Sequence, residues 1–528
     1  MTAAIWSREV VEEEGPRGPL RRYRMRPPSL PAVLDATADR WPDRVHLVQG
    51  GDRRTFAEHR LAVRRAAGVL REAGVRPGDR VGILAANSPA WIASLWACWE
   101  IGAVAAPFNW SWTTEQIHGV IDDCSPAVVL VDAEHAPQVP SGIALPMSRL
   151  DDGPADDEPA GLPVVDETMP GLIIYTSGTT GRPKGATFTQ GAVIASVQNA
   201  LVGSRLPHEL PDEPPPGVPM PVSLLSYPVF HMAGTMNVLV TTAIGGRLVF
   251  AGPKFDAVEI LRLIERERVT AWGAVPTMAQ RAADALADHH IDVSSLRAIT
   301  LGGAPMPPGL PATLAERFGS LRGGASNAYG QTEVGGTVTI GGARDAAADP
   351  TCVGAPLGVA EICIDSPAGG GTGEVLVRTP SAMLGYWGQD ESPIGDDGWV
   401  HTGDVGYLDD EGRLHIVDRI KDIIIRGGEN ISPTAVEEAI ASHPSVDEVS
   451  VFSVPDADFG EAIAAVVVTS DPALTSDDLV AHARLTLSRF EVPEHWWIRS
   501  EPLERGTLDK VLRRQLRDEW LSTTARPS

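Results

Sequence analysis

Short apolar runs alternate along the chain with longer segments whose apolar residues recur every three or four positions. Arg80–Ala85 (RVGILA) has the pattern of a strand buried on both faces, and Pro89–Ile101 has helical spacing. Ala103–Pro107 and Ala127–Asp132 read as further strands, with Thr114–Asp123 between them as a helix that Thr113 or Thr114 can cap. After residue 221 the alternation resumes. Strands are predicted at Val222–Val229, Arg247–Ala251, Thr270–Val275 and Ala298–Leu301, and helices at His231–Ala243, Val258–Arg268 and Thr277–Ala287. This is the pattern of parallel sheets covered by helices. The intervening Leu206–Pro221 is too proline-rich for helix or central strand; it reads as a semi-rigid connector, or as a flap beside a ligand mouth.

Beyond residue 350 short strands with Gly and Asp turns take over: Ala360–Asp365, Gly373–Arg378, Val405–Leu408 and Arg413–Val417, the last two joined by the loop Asp409–Gly412. They predict a small β-barrel or sheet subdomain. A new unit starts after Asp418. Ser432-Pro433, an N-cap followed by a first-turn proline, opens a helix over Thr434–Ser442. Strands Val446–Val454 and Ala462–Thr469 and a cationic helix over Leu508–Trp520 follow. The predicted fold is therefore α/β: a large N-terminal domain over residues 1–418, of helix-covered parallel or mixed sheets plus the small barrel, and a small α+β domain over 419–528.

At 528 residues the chain exceeds what one hydrophobic core serves, which agrees with more than one domain. Its net charge of −25 argues against nucleic acid and against an anionic membrane surface, both of which need a basic face. Any polyanionic substrate must then be met by positive charge concentrated in one place. The four cysteines (Cys98, Cys124, Cys352, Cys363) have no paired spacing, so reduced thiols in a cytoplasmic protein are expected, with no disulfide framework and no zinc site. Met1–Pro28 has no apolar core of a secretory signal, and no stretch reaches the roughly 20 apolar residues of a membrane span.

The candidate chemistry begins at residues 175–185, YTSGTTGRPKG, directly after apolar Leu172-Ile173-Ile174. Hydroxyls from Thr176, Ser177, Thr179 and Thr180, exposed amides around Gly178 and Gly181, and the cations Arg182 and Lys184 suit a polyphosphate, whose oxygens only accept hydrogen bonds. The string is not a Walker loop, because Pro183 precedes the lysine and Gly185 follows it. Tyr329-Gly330-Gln331-Thr332-Glu333 comes later, where a carboxylate after an aromatic and a tight glycine turn can hold Mg2+ while the ring stacks on a base. Taken alone, that pentapeptide is equally a surface turn.

The first string resembles the phosphate-binding signature of the adenylate-forming superfamily: acyl-CoA synthetases, peptide-synthetase adenylation domains and luciferases. The resemblance extends from about residue 40 to 520 and is strongest to acyl-CoA synthetases. It implies ATP, Mg2+ and coenzyme A as cofactors. Tyr329 would pack on the adenine, with Gly303, Ala304, Pro305, Gly330, Gln331 and Thr332 around it. Glu333 would ligate Mg2+, Asp404 and Arg419 would take the ribose and phosphate, and Lys510 would be the C-terminal catalytic lysine. Lys421 would be the pivot of a mobile C-terminal domain. Gly427, Gly428 and Glu429 would line the thiol channel, with Phe459 and Arg489 on the coenzyme A nucleotide. His231, Gly234, Trp272, Gly302, Gly303 and Ser326 would wall the acyl pocket, with His231 also among the catalytic residues. Two departures stand out: Asp509 replaces the usual glycine before Lys510, and Glu491 replaces a lysine that many relatives carry. Amino-acid-activating relatives place Asp where this chain has His231, which disfavours an α-amino acid.

The implied reaction is ligation of a carboxylic acid (fatty, aromatic or alicyclic) to coenzyme A through an acyl-adenylate, with pyrophosphate released. It would serve fatty acid or related acid metabolism in the cytoplasm. Transfer to a carrier-protein thiol, luciferase-type oxygenation, and a non-catalytic nucleotide-binding protein with a decayed site are the rivals. Oligomeric state is open, a homodimer included.

Overall fold

The computed structural model describes residues 6–153, 163–176, 183–203, 220–307, 309–321, 324–366, 371–426, 429–456, 459–505 and 511–524. Two sheets dominate the large N-terminal domain. One has seven strands, in the order Gly385–Tyr386, Lys184–Thr189, Pro170–Thr176, Val104–Pro107, Arg80–Leu84, Val128–Val131, Ala144–Pro146. The other is a path of thirteen strands. Its parallel part runs through Val45–Gln49, Arg247–Phe250, Val222–Leu225, Ala271–Ala274, Ala298–Gly302 and Ala325–Gln331.

The helices Leu30–Arg40, Phe56–Glu72, Pro89–Glu100, Gln190–Gly203 and Met232–Ala243 share one apolar cluster with strand residues of both sheets, such as Ile83 and Leu172 on one side and Leu225 and Leu248 on the other. They form a middle layer. That is why Pro89–Glu100 is apolar all round: Trp91, Trp96 and Trp99 are fully buried, and a helix packed on every side has no polar face. Ser88 caps it by accepting from the Trp91 amide, with proline next in the first turn. A second cluster covers the far face of the large sheet beneath Ala257–Glu267, Pro276–Asp288 and Leu310–Arg317, and a third covers the far face of the seven-stranded sheet beneath Thr114–Cys124.

The βα alternation predicted from Arg80 onward is present. Nothing was predicted upstream, where the structure has the hairpin Val10–Gly15/Gly18–Tyr23, two helices and two strands. The hairpin's cross-strand partners include Glu12 opposite Arg21, so charge pairing takes the place of the apolar alternation that marks a strand. The antiparallel strands expected as a small barrel or sheet are the open end of the thirteen-stranded path. Cys352–Pro356 pairs with Leu414–Arg419 on one edge and with Gly336–Gly341 on the other, so the small sheet continues into the large one. The strand expected to start at Val405 starts at Val400, because His401 already pairs with Leu376.

The large sheet ends at Arg419, and the next strand, Ile424–Arg426, belongs to a separate five-stranded sheet with Glu429–Ile431, Glu448–Asp456, Gly460–Val468 and His495–Arg499. Pro433–Ala441, Ser476–Ala483 and Arg513–Thr524 pack around it. The last helix starts later than the expected Leu508, although residues 506–510 lie outside the described set. Most of the proline-rich stretch, residues 204–219, lies outside it too. Cys98, Cys124 and Cys352 are buried and Cys363 is exposed, all as free thiols. Among the described residues no helix is long and apolar enough to cross a membrane.

Candidate active site

The site is built at the carboxyl ends of the parallel strands, the usual ligand position in open α/β sheets. Ala325–Gln331 is the turning point: it pairs parallel with Ala298–Gly302 on one side and antiparallel with Gly336–Gly341 on the other. Gly330 is required there, since a Cβ would overlap the Gly336 carbonyl oxygen. The chain then enters a 3-10 turn, Thr332–Val334, which carries Glu333.

Tyr329 and Glu333 stand at the two ends of this short stretch, and each holds one half of the site. The Tyr329 hydroxyl donates to Asp404 Oδ2 at 2.7 Å. Arg419 Nε donates to Asp404 Oδ1 at 2.9 Å, and these two residues are cross-strand partners. Burial, followed by the Asp404 charge, pushes the Tyr329 phenol far above its ordinary range. Asp404 lies inside the strand Val400–Leu408, after a kink at Gly403 with φ of 71°. Thr402 Oγ accepts from the Asp404 amide, and Glu374 accepts from the Gly403 amide at 3.0 Å and contacts the His401 ring at 2.9 Å. The Gln331 side-chain amide reaches the Thr402 carbonyl, while Gly303, Ala304 and Pro305 leave the neighbouring strand end, where Gly302 lies opposite Ala328.

The Glu333 end meets the phosphate signature. Thr176 and Lys184 are cross-strand partners at the mouth of the hairpin formed by Pro170–Thr176 and Lys184–Thr189. Ser177, Gly178, Thr179, Thr180 and Gly181 lie outside the described residues. Tyr386 donates to Glu333 Oε1 at 2.8 Å, and Lys184 Nζ sits 5.1 Å from the centre of the Tyr386 ring and 3.6 Å from Glu391. Neither Tyr386 nor Glu391 stood out in the sequence, because a lone Tyr and Glu after a strand carry no local signal.

The proposed pocket residues are less uniform. His231 precedes Met232–Ala243, with its ring 4.5 Å from that of Phe230, which in turn lies edge-on to Trp110. Gly234 lets that helix approach the Pro228 carbonyl, where a Cβ would overlap. Trp272 is only 1% exposed; it packs in the cluster beneath the outer helices and donates to Ser226 Oγ at 2.9 Å. Ser326 bonds Thr300 Oγ at 3.1 Å, within the sheet.

In the C-terminal domain Lys421 is exposed in the turn that follows Leu414–Arg419. Asp418, just before that turn, accepts from Ser432 Oγ and the Thr434 amide, so it joins the helix cap of the next domain. Lys510, Gly427 and Gly428 lie outside the described residues; Arg505 and Val511 form an antiparallel bridge. The Glu429 backbone pairs with Arg426. Arg426, buried, lies under the exposed rings of Phe459 and Phe490 and pairs with Glu494. Phe490 thus joins Phe459, while Arg489 is exposed beside them. Glu491 accepts from the Ser488 amide at 2.8 Å, closing its own turn.

The model of the AMP-binding enzyme family matches residues 34–387, and that of the AMP-binding enzyme C-terminal domain matches 435–506. This chain belongs to the AMP-binding enzyme family. Feruloyl-CoA synthase of Amycolatopsis sp is 37% identical over 488 residues, covering 90% of this chain and 93% of that one. A long-chain-fatty-acid–CoA ligase of Mycobacterium tuberculosis is 31% identical, covering 89% and 94%. Among solved structures, o-succinylbenzoate CoA synthetase of Bacillus subtilis in complex with its acyl-adenylate intermediate has a TM-score of 0.81 at 28% identity, covering 93% of this chain and 98% of that one. The same Bacillus subtilis enzyme has been solved with ATP and magnesium ion. As an AMP-binding enzyme the chain is an AMP-forming acyl-CoA ligase, with ATP and coenzyme A as its cosubstrates.

Proposed function

We propose that the protein joins an aromatic carboxylic acid to coenzyme A through an acyl-adenylate. The observation that carries the site is the Tyr329–Glu333 stretch, which ties the Asp404–Arg419 pair to the Thr176–Lys184 hairpin. The aromatic preference is supported by the higher identity to feruloyl-CoA synthase, 37% against 31% for the fatty-acid ligase, and by the Trp110–Phe230–His231 ring assembly.

In the first step a carboxylate oxygen attacks the α-phosphorus, and the bond from that phosphorus to the bridging oxygen breaks as pyrophosphate leaves. Asp404 accepts from the ribose hydroxyls, and Tyr329 and the Gly303–Pro305 segment flank the adenine. Thr176, Lys184 and Lys510 donate to the phosphates where charge develops. In the second step a thiolate sulfur attacks the acyl carbon, and the carbon–oxygen bond to AMP breaks. Glu333 fits a divalent cation: Tyr386 holds one carboxylate oxygen, and the other has no partner among the described residues. Glu333 would hold such an ion alongside the substrate phosphates, and magnesium would supply neutralisation of their charge.

Lys510 serves the first step, and Gly427, Gly428 and Glu429, with Phe459, Phe490 and Arg489 outside them, serve the second. A domain boundary at residues 418 and 419 and a pivot at Lys421 let one site do both in turn. The enzyme works in the cytoplasm.

The test is ATP–pyrophosphate exchange and AMP release with magnesium across ferulate, benzoate, dodecanoate and an alicyclic acid, with coenzyme A and a phosphopantetheinyl carrier protein compared as acceptors. Ferulate-type acids with coenzyme A are expected to lead. Release of ADP, or preference for the carrier protein or for dodecanoate, overturns the corresponding part.

A further inference from the structure

One short segment is stitched to both halves of the phosphate corner. The Met383 amide donates to the Glu333 carbonyl at 2.9 Å, and the Leu384 and Trp387 amides donate to Thr187 and Gly185 of the lysine strand, each at 2.7 Å. Tyr386, opposite Ala186 in register, repeats the link with its side chain. Its hydroxyl is on Glu333 Oε1 at 2.8 Å, and its ring lies 5.1 Å from the Lys184 ammonium. The same ammonium is 3.6 Å from Glu391, whose side chain is 88% exposed.

We propose that Tyr386 is a positioning residue that aims Glu333 and seats Lys184, and that Glu391 keeps Lys184 paired until a polyphosphate displaces it. A hydrogen bond to one oxygen of a metal-ligating carboxylate fixes the direction of the other. The electron-rich ring face attracts an ammonium, so one side chain sets the spacing between the cation and the carboxylate that must share one polyphosphate. Glu391 is exposed although Lys184 is only 24% so, and a pair with one solvated partner is weak enough for a multiply charged ligand to break. The proposal rests on the ligase reading, in which Lys184 and Glu333 face the phosphates.

The experiment is equilibrium titration of the full chain with ATP, once with magnesium and once with EDTA, without acid or thiol so that nothing turns over. Tyr386→Phe is expected to weaken magnesium–ATP binding about tenfold while changing metal-free ATP by less than about twofold. Glu391→Gln is expected to tighten metal-free ATP about two- to threefold at an unchanged melting temperature. Equal weakening of both forms in Tyr386→Phe marks a merely structural residue and overturns its role, as does no weakening of either. Glu391→Gln that binds metal-free ATP no more tightly overturns the counter-ion role. Glu391 is exposed enough that its variant folds, which keeps the proposal falsifiable if Tyr386→Phe does not. A wild-type protein that binds no ATP in either condition fails the ligase reading itself, and the proposal with it.

Discussion

Tyr329 and Asp404, 75 residues apart in sequence, share a hydrogen bond of 2.7 Å that fixes a buried carboxylate at the edge of the proposed adenylate site. Tyr329→Phe removes the donor while keeping the ring. We expect the KM for ATP to rise about five- to tenfold, and stability to fall by roughly 1–2 kcal/mol, the penalty for leaving a buried acceptor short of a partner. Steady-state kinetics and urea unfolding of the same preparation measure both. An unchanged KM would place Asp404 outside the nucleotide contacts.

Lys510→Ala separates the two half-reactions. Adenylate formation is expected to be lost, while thioester formation from supplied acyl-adenylate stays within about threefold of wild type, because in the proposed mechanism the lysine acts only where charge develops on the phosphates. Equal loss of both steps contradicts the two-position account of the C-terminal domain.

Glu100 has a carboxyl raised to about 7, first by burial and then by Asp35, against the lowering effect of Arg64. The folded state holds this proton more tightly than the unfolded chain, so stability is lost as pH rises from about 4.5 to 7. Glu100→Gln is expected to stabilise the protein at pH 8 by up to about 3 kcal/mol, and much less at pH 5. Chemical denaturation at the two pH values decides it, and a gain that does not depend on pH counts against the assignment.

His46 and His59 act with the opposite sign. His46 is stacked on Phe56 at 4.1 Å, bonded to the Gly246 carbonyl, and lowered to about 4 by burial. His59, 5.4 Å away, has no hydrogen-bond partner for either ring nitrogen among the described residues and is lowered well below its usual value, by burial and then by His46. The unfolded chain binds these protons more tightly, so stability is full above about 6.5 and falls as pH drops towards 4. In a Glu100→Gln background, where the opposing dependence of Glu100 is absent, His46 alone accounts for about 2 kcal/mol lost by pH 5. A flat profile between pH 7.5 and 5 refutes it.

Local pattern was legible wherever an element's surroundings are simple. Arg80–Leu84, Val104–Pro107 and Val128–Val131 are buried on both faces, so their apolar runs announce them. The hairpin at Val10–Tyr23 sets charged residues such as Glu12 and Arg21 opposite one another and gave no such signal. Tyr329, Glu333 and Lys184 were found because each sits in a compact string of unusual composition. Tyr386 and Phe490 were not, because their importance is a property of neighbours distant in the chain: Glu333 for one, Arg426 for the other.

The sequence by itself determined the layered α/β plan, the family, and the stock of hydroxyl, lysine and carboxylate groups that a polyphosphate requires, since those depend on periodicity and on residue type. Only the tertiary structure decided that Asp404 stands on a strand opposite Arg419, that Trp272 faces the core, and that Tyr386 joins Lys184 to Glu333. Those facts depend on strand register and on which face a side chain takes, and both are settled by the simultaneous packing of segments that lie far apart along the chain.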